Sequence, residues 1–124
     1  MATLTEQLEA MLGLKPNWDG YGADAIDPRP VAVAKEIVGF FEAFVSRYGP
    51  KLRDLRVYPT RIGGVQIEWE DDVFENELEL EPDGRMEFLH VHRVTGQTKT
   101  VVVPPGNGAV QPGFLHQLRE VIAA

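Results

Sequence analysis

The chain has 124 residues, 44% hydrophobic and 25% charged, with 12 Lys or Arg against 19 Asp or Glu and no cysteine. That balance belongs to a chain that packs a core, and its size suits one α+β domain spanning residues 1–124. The missing cysteines exclude a disulfide scaffold, a thiolate zinc site and a cysteine nucleophile, and the net charge of −7 disfavours duplex nucleic acid, whose phosphates are bound by Lys and Arg.

In chain order, Thr3-Leu4-Thr5-Glu6 has the spacing of a capping box, and Leu4, Leu8, Met11 and Leu12 continue it as a short amphipathic helix. Gly13 follows where a left-handed residue would close the last turn. The start of the chain carries Glu6 and Glu9 and no Lys or Arg ahead of an apolar run, unlike a secretory signal, so the expected compartment is the cytoplasm. Asp27 before Pro28 and Pro30 marks a second helix start. Ala34, Ile37, Val38, Phe41, Phe44, Val45 and Tyr48 give that helix an unbroken apolar stripe up to Gly49-Pro50. Lys35, Glu36 and Glu42 interrupt the stretch, which is too short for a bilayer requiring about 20 apolar residues, so no membrane partner is expected.

From residue 55 the period becomes two. Val57 and Tyr58 suit an edge strand, and Val65, Ile67 and Trp69 alternate with Gln66, Glu68 and Glu70. In the next strand Phe74, Asn76, Leu78 and Leu80 share one face, and Glu75, Glu77, Glu79 and Glu81 share the other. Pro82-Asp83-Gly84 closes a hairpin that pairs Leu80 with Met86, Leu78 with Phe88, Asn76 with His90 and Glu79 with Glu87, and in the preceding hairpin Glu68 is expected opposite Glu75. A turn at 95–97 leads into a strand over 99–103, ended by Pro104-Pro105, and Pro112 opens a third helix with Phe114, Leu115, Leu118, Val121 and Ile122 on its apolar stripe. The fold expected is α+β: a four- to five-stranded antiparallel meander with helices packed on one face and the other face wet.

Three features could carry function. Asn17-Trp18-Asp19-Gly20-Tyr21-Gly22-Ala23 concentrates two aromatics, two glycines and an acid in a loop. Here the sequence resembles a family of small uncharacterised bacterial proteins bearing that same motif near the N-terminus. In that family the motif is followed by a helix, by a strand like residues 63–69 and by an acidic hairpin, so the resemblance covers about residues 14–88. It implies no reaction. Read from the residues, Asn17, Trp18, Asp19 and Tyr21 could form a stacking platform for a small molecule or glycan, or the glycines could simply fold two aromatics back over the core.

His90 and His92 lie two apart on one strand and so face the same way, which could begin a metal-dependent hydrolase site, although no third ligand is evident among Asn76, Glu87 and His116. No nucleophile elbow or phosphate-cradling loop is present, so neither enzymatic activity nor a cofactor is expected.

Charge is distributed unevenly. Residues 68–87 hold ten acids and one arginine, a net of −9, which leaves +2 on the rest of the chain, including a basic run of Arg47, Lys51, Arg53, Arg56 and Arg61. Acids on a wet sheet face serve solubility and deter aggregation, and they also steer a basic partner. The expected function is therefore non-catalytic: a protein-binding module of antitoxin, immunity or adaptor type that docks a basic protein through Glu68, Glu75, Glu77, Glu79 and Glu87. The sequence leaves the oligomeric state open.

Overall fold

A computed structural model describes residues 2–48 and 53–103; side chains are described for residues 2–43 and 55–103. The elements are α1 (Leu4–Met11), α2 (Pro28–Tyr48), β1 (Arg53–Pro59), β2 (Val65–Glu70), β3 (Phe74–Leu80), β4 (Met86–His92) and β5 (Thr98–Val103). The strands form one antiparallel sheet in the order β1-β2-β3-β4-β5, a simple meander, with both helices packed against it. The chain is thus an α+β protein. The expected third helix and the Pro104-Pro105 stop lie outside the described residues, as do the Gly49-Pro50 stop and the side chains of Phe44, Val45 and Tyr48. Among the described residues no helix is long and apolar enough to cross a membrane.

The local chemistry explains most boundaries. Thr3 and Glu6 complete the capping box of α1 reciprocally, each side chain bonding the other's backbone N–H. The left-handed closure expected at Gly13 does not occur. Leu12 caps the helix in the right-handed region, and 3.1 Å bonds from Gly13 N–H to Ala10 and from Leu14 N–H to Met11 run the chain on through a tight turn. At the start of α2, Asp27 Oδ1 accepts the Arg29 N–H at 2.9 Å while its carboxylate grips the Arg29 guanidinium. The Arg29 side chain holds the Asp27 carboxyl below its ordinary range, with the backbone bond adding to it.

The hairpin joining β3 and β4 closes as its sequence implies, with Gly84 at φ 93° and bonds of 2.9 Å from Glu81 N–H to Arg85 O and 3.0 Å from Gly84 N–H to Glu81 O. Leu80↔Met86, Leu78↔Phe88, Asn76↔His90 and Glu79↔Glu87 all pair. The β2–β3 register differs from expectation by two residues: Glu68 faces Glu77, and Glu70 faces Glu75. The cause is the turn. Asp71 Oδ1 accepts from Val73 N–H and Phe74 N–H at 2.8 and 2.7 Å, and this keeps the connection tight. Residues stay on their expected faces because the offset is even.

The core lies between the sheet and the helices. Leu8 and Met11 of α1 and Val31, Ala34, Ile37, Val38 and Phe41 of α2 pack with Val57, Val65, Ile67, Trp69, Leu78, Leu80, Met86 and Phe88. Trp69 is the hub, with Phe41 at 4.6 Å between ring centroids on one side and Phe88 at 5.6 Å on the other.

Gly63 ties the α1–α2 connection to the sheet. Its carbonyl accepts the Asp27 N–H at 2.9 Å, its φ is 84°, and a Cβ there would meet the Ala25 carbonyl oxygen at 2.8 Å. Gly39, exposed in the middle of α2, has open space around it. Opposite outcomes are expected from the same substitution. Gly63→Ala should lose about 2–4 kcal/mol of unfolding free energy through backbone strain and collision, whereas Gly39→Ala should gain about 0.5–1 kcal/mol from helix propensity. Urea denaturation of the two variants checks both signs.

Candidate functional site

The Asn17–Ala23 loop is organised from within. Asn17 takes a positive φ of 67°, its N–H donates to the Ala23 carbonyl at 2.7 Å, and its side-chain oxygen accepts the Gly22 N–H at 2.7 Å. Asp19 Oδ1 accepts from Tyr21 N–H and Ala23 N–H at 2.8 and 3.1 Å, and Oδ2 accepts from Arg61 Nε at 2.8 Å. Partial desolvation works against the Asp19 carboxylate, yet those two backbone bonds and the Arg61 guanidinium together hold its pKa below the ordinary aspartate value. The guanidinium also donates to the Tyr21 carbonyl.

The two aromatics part company. Trp18 packs against the core, and its indole N–H donates to the Asp24 carbonyl at 2.8 Å. Tyr21 is 81% exposed. One ring thus packs on the core while the other is exposed, and the side-chain oxygens of Asn17 and Asp19 are engaged by backbone amides of the loop and by Arg61. In sequence Arg61 belongs to a basic run. It instead serves this loop, while Arg56 pairs with Glu68 at 2.9 Å on the sheet; the side chains of Arg47, Lys51 and Arg53 lie outside the described residues.

His90 and His92 share a face with Phe74 between them, stacked on His90 at 3.8 Å and edge-on to His92 at 5.3 Å. His90 Nδ1 lies 2.5 Å from the Oδ1 of buried Asn76. His92 Nδ1 instead accepts from Val94 N–H and Thr95 N–H at 3.2 Å each, which places its proton on Nε2. The imidazoles thus sit in separate networks. Burial pushes the His90 pKa down, Lys99 and His92 adding to it against Asp71. Among the described residues no group of three or more His, Cys, Asp or Glu is arranged to hold a metal ion.

The outer sheet face gathers the carboxylates. Across β1 to β5 one row reads Arg56, Glu68, Glu77, Leu89, Thr100; a second reads Glu70, Glu75, Val91, Thr98; and a third reads Tyr58, Gln66, Glu79, Glu87, Val102. Glu68, Glu75, Glu77, Glu79 and Glu87, the residues singled out from sequence, therefore share one surface. Three carboxylate pairs are directly opposed: Glu68 with Glu77, Glu70 with Glu75, and Glu79 with Glu87.

Neutralising contacts are partial. Gln66 Nε2 donates to Glu68 at 2.6 Å and to Glu77 at 2.8 Å, which bridges that pair. Arg85 reaches Glu81 at 3.1 Å and Glu87 at 3.5 Å, and Arg93 reaches Glu70 at 3.6 Å. Partial burial raises the Glu77 pKa, the neighbouring Glu68 raises it further, and Glu79 and Glu87 act in the same direction. Glu79 is likewise raised by partial burial, then by Glu81 and Glu87, with Arg85 opposing. Sequence reasoning missed Gln66 as the bridge and Leu89 and Val91 as the aliphatic border; the outward parity of all three was the available signal.

Comparisons with protein-family models, curated proteins and solved structures give no match, so the resemblance in residues 17–23 rests on the motif itself.

The loop geometry leads to two contrasting expectations. Trp18→Ala removes packing against the core and an indole hydrogen bond and should cost about 2–3 kcal/mol, while Tyr21→Ala should change stability by less than about 0.5 kcal/mol, as exposed positions do. Thermal and chemical denaturation would show the split; equal losses would mean that Tyr21 packs as Trp18 does.

Proposed function

We propose that this protein is a non-catalytic binding module that docks a basic protein partner on the outer face of its sheet, in the manner of antitoxin, immunity or adaptor proteins. The observation that carries the reading is the direct opposition of like charges in three cross-strand pairs on adjoining strands. Opposed like charges destabilise a sheet by about 0.2–1 kcal/mol per pair. Solubility alone could be met by staggering the same acids with lysines, so the concentration of one sign suggests a surface built for a complementary one. A field of this kind accelerates encounter with a basic surface more than it deepens final affinity.

The reading is tested with Glu77→Gln/Glu79→Gln, which keeps shape and acceptor oxygens and removes two charges. Both groups have folded-state pKa values above the ordinary value of 4.5, so their ionisation opposes folding at neutral pH. The isolated variant should therefore be as stable as the parent or more stable by up to about 1 kcal/mol at pH 7 after solvent screening. That advantage should vanish as pH falls through the raised values and below the ordinary glutamate range. Taking the difference between variant and parent removes the contribution of His90, whose lowered pKa makes both proteins lose stability below its ordinary value of 6.5. Lower stability of the variant at neutral pH would mean that these carboxylates serve the fold.

For docking, a basic protein retained by the parent at low salt is purified and its association followed by stopped flow. The variant should associate more slowly, with the gap closing at high salt, where exposed charges are screened beyond about 8–10 Å. Equal rates at low salt would reject the acidic face as the docking surface.

A further inference from the structure

The outer face is not uniformly acidic. Where the acids of β2 and β3 give way to β4, a hollow of about 190 Å³ lies over the backbone of Trp69 and Asn76, whose side chains point into the core. Its acidic side is formed by Glu68, Glu70, Glu75 and Glu77 and its aliphatic side by Leu89 and Val91, while at the β1 end Arg56 lines it and pairs with Glu68 at 2.9 Å. The register places Glu77 directly beside Leu89 and Glu75 directly beside Val91, so each carboxylate row ends on a branched aliphatic side chain. On β5 these two rows continue with Thr100 and Thr98, and Val102, 48% exposed, stands opposite Glu87 and diagonal to Leu89.

We propose that this hollow receives an arginine side chain from an amphipathic segment of the protein partner, a reading that rests on the acidic face being the docking surface. The hollow is sized for one long side chain and has two kinds of wall. A methylene stem would lie along Leu89 and Val91, as long cationic side chains cover apolar surface with their stems. Glu68 and Glu77 are engaged by Arg56 and Gln66, so the head group would meet Glu70 and Glu75, the directly opposed pair on β2 and β3 beside Val91. Directly opposed residues have Cβ atoms about 4.5–5.5 Å apart, a spacing that suits a planar five-donor guanidinium bridging two carboxylates better than a compact ammonium. Glu75 makes no ion pair among the described residues and is exposed, so its carboxylate is available to such a guest. Apolar neighbours of the arginine would rest on the aliphatic border toward Val102. Charge and shape thus select a segment with both basic and apolar residues over a purely polycationic one.

The test uses the full chain labelled for amide NMR and the capped pentapeptide Val-Arg-Val-Arg-Val, with its lysine and citrulline counterparts and free arginine amide. The expected result is saturable shifts centred on the amides of Trp69, Asn76, Leu89 and Val91. Affinity should be about threefold or more above the lysine peptide, since bidentate geometry is lost there, and binding of the citrulline peptide should be absent. Glu75→Gln and Leu89→Thr, both on the outer face, should each weaken the arginine peptide by about threefold or more while leaving the fold's spectrum intact.

Equal arginine and lysine affinities with shifts spread over all outer glutamates would overturn the arginine hollow and leave the acidic docking face standing. No outer-face shift with any cationic peptide, at low salt, would overturn both. Free arginine amide binding as tightly as the pentapeptide would also overturn the proposal, because the ligand would then be a small guanidino compound and not a partner's segment.

Discussion

The side-chain register of the three central strands is the constraint on which the rest of the molecule depends. Only one parity brings Val65, Ile67, Leu78, Leu80, Met86 and Phe88 beneath the helices, where all are buried. A slip of one residue would place Glu75, Glu77 and Glu79 under α2, and an unpaired carboxylate taken from water into a core costs several kcal/mol. That cost exceeds the repulsion among glutamates facing water, which amounts to tenths of a kcal/mol per pair. The crowded outer face is therefore the tolerable side of a choice made by the core. It also explains why neutral Gln66 matters: its amide places two donors between Glu68 and Glu77 without adding charge.

The same asymmetry divides the electrostatic burden. The cations that reach the face do so from β1, from the β3–β4 turn and from beyond β4, through Arg56, Arg85 and Arg93. They relieve its margins. Glu75 and Glu79 in β3 make no ion pair among the described residues, and Glu79, eased by Arg85 only at a distance, is one of the two glutamates whose ionisation is held back. The sheet thus stays folded with its least favourable charges at the centre of its exposed surface, where an approaching basic group would relieve them most.

Legibility from sequence followed the range of the interaction. The β3–β4 hairpin could be read because Pro82, Asp83 and Gly84 fix the turn while alternation on both sides fixes the pairing, two local signals in agreement. The β2–β3 offset could not, since it depends on Asp71 bonding two backbone amides, one of several ways to close an acidic turn. Helix α1 was legible at its start, where Thr3 and Glu6 cap it reciprocally. It was misread at its end, because the turn there is closed by backbone bonds indifferent to Gly13. Of the motif residues, Trp18 and Tyr21 are three apart in the same loop and have opposite fates. Trp18 is placed by the core and the Asp24 carbonyl, and the Tyr21 carbonyl and Asp19 are held by Arg61, 42 residues downstream of Asp19, so no local pattern encodes the division.

The seam between the Asn17–Asp27 segment and the 60–64 turn has a kinetic consequence. The backbone bonds from Asp24 N–H to Arg61 and from Asp27 N–H to Gly63, with the Arg61–Asp19 pair, join parts of the chain far apart in sequence, whereas the hairpins of the meander join neighbours. Closing a long loop before any contact rewards it is slow compared with zipping a hairpin. The hairpins of the meander therefore cost less to close than the seam that carries Trp18 and Asp24 to the 60–64 turn. The motif segment thus closes through the longest loop among these contacts, and Trp18, packed against the core from within it, is placed to report that closure.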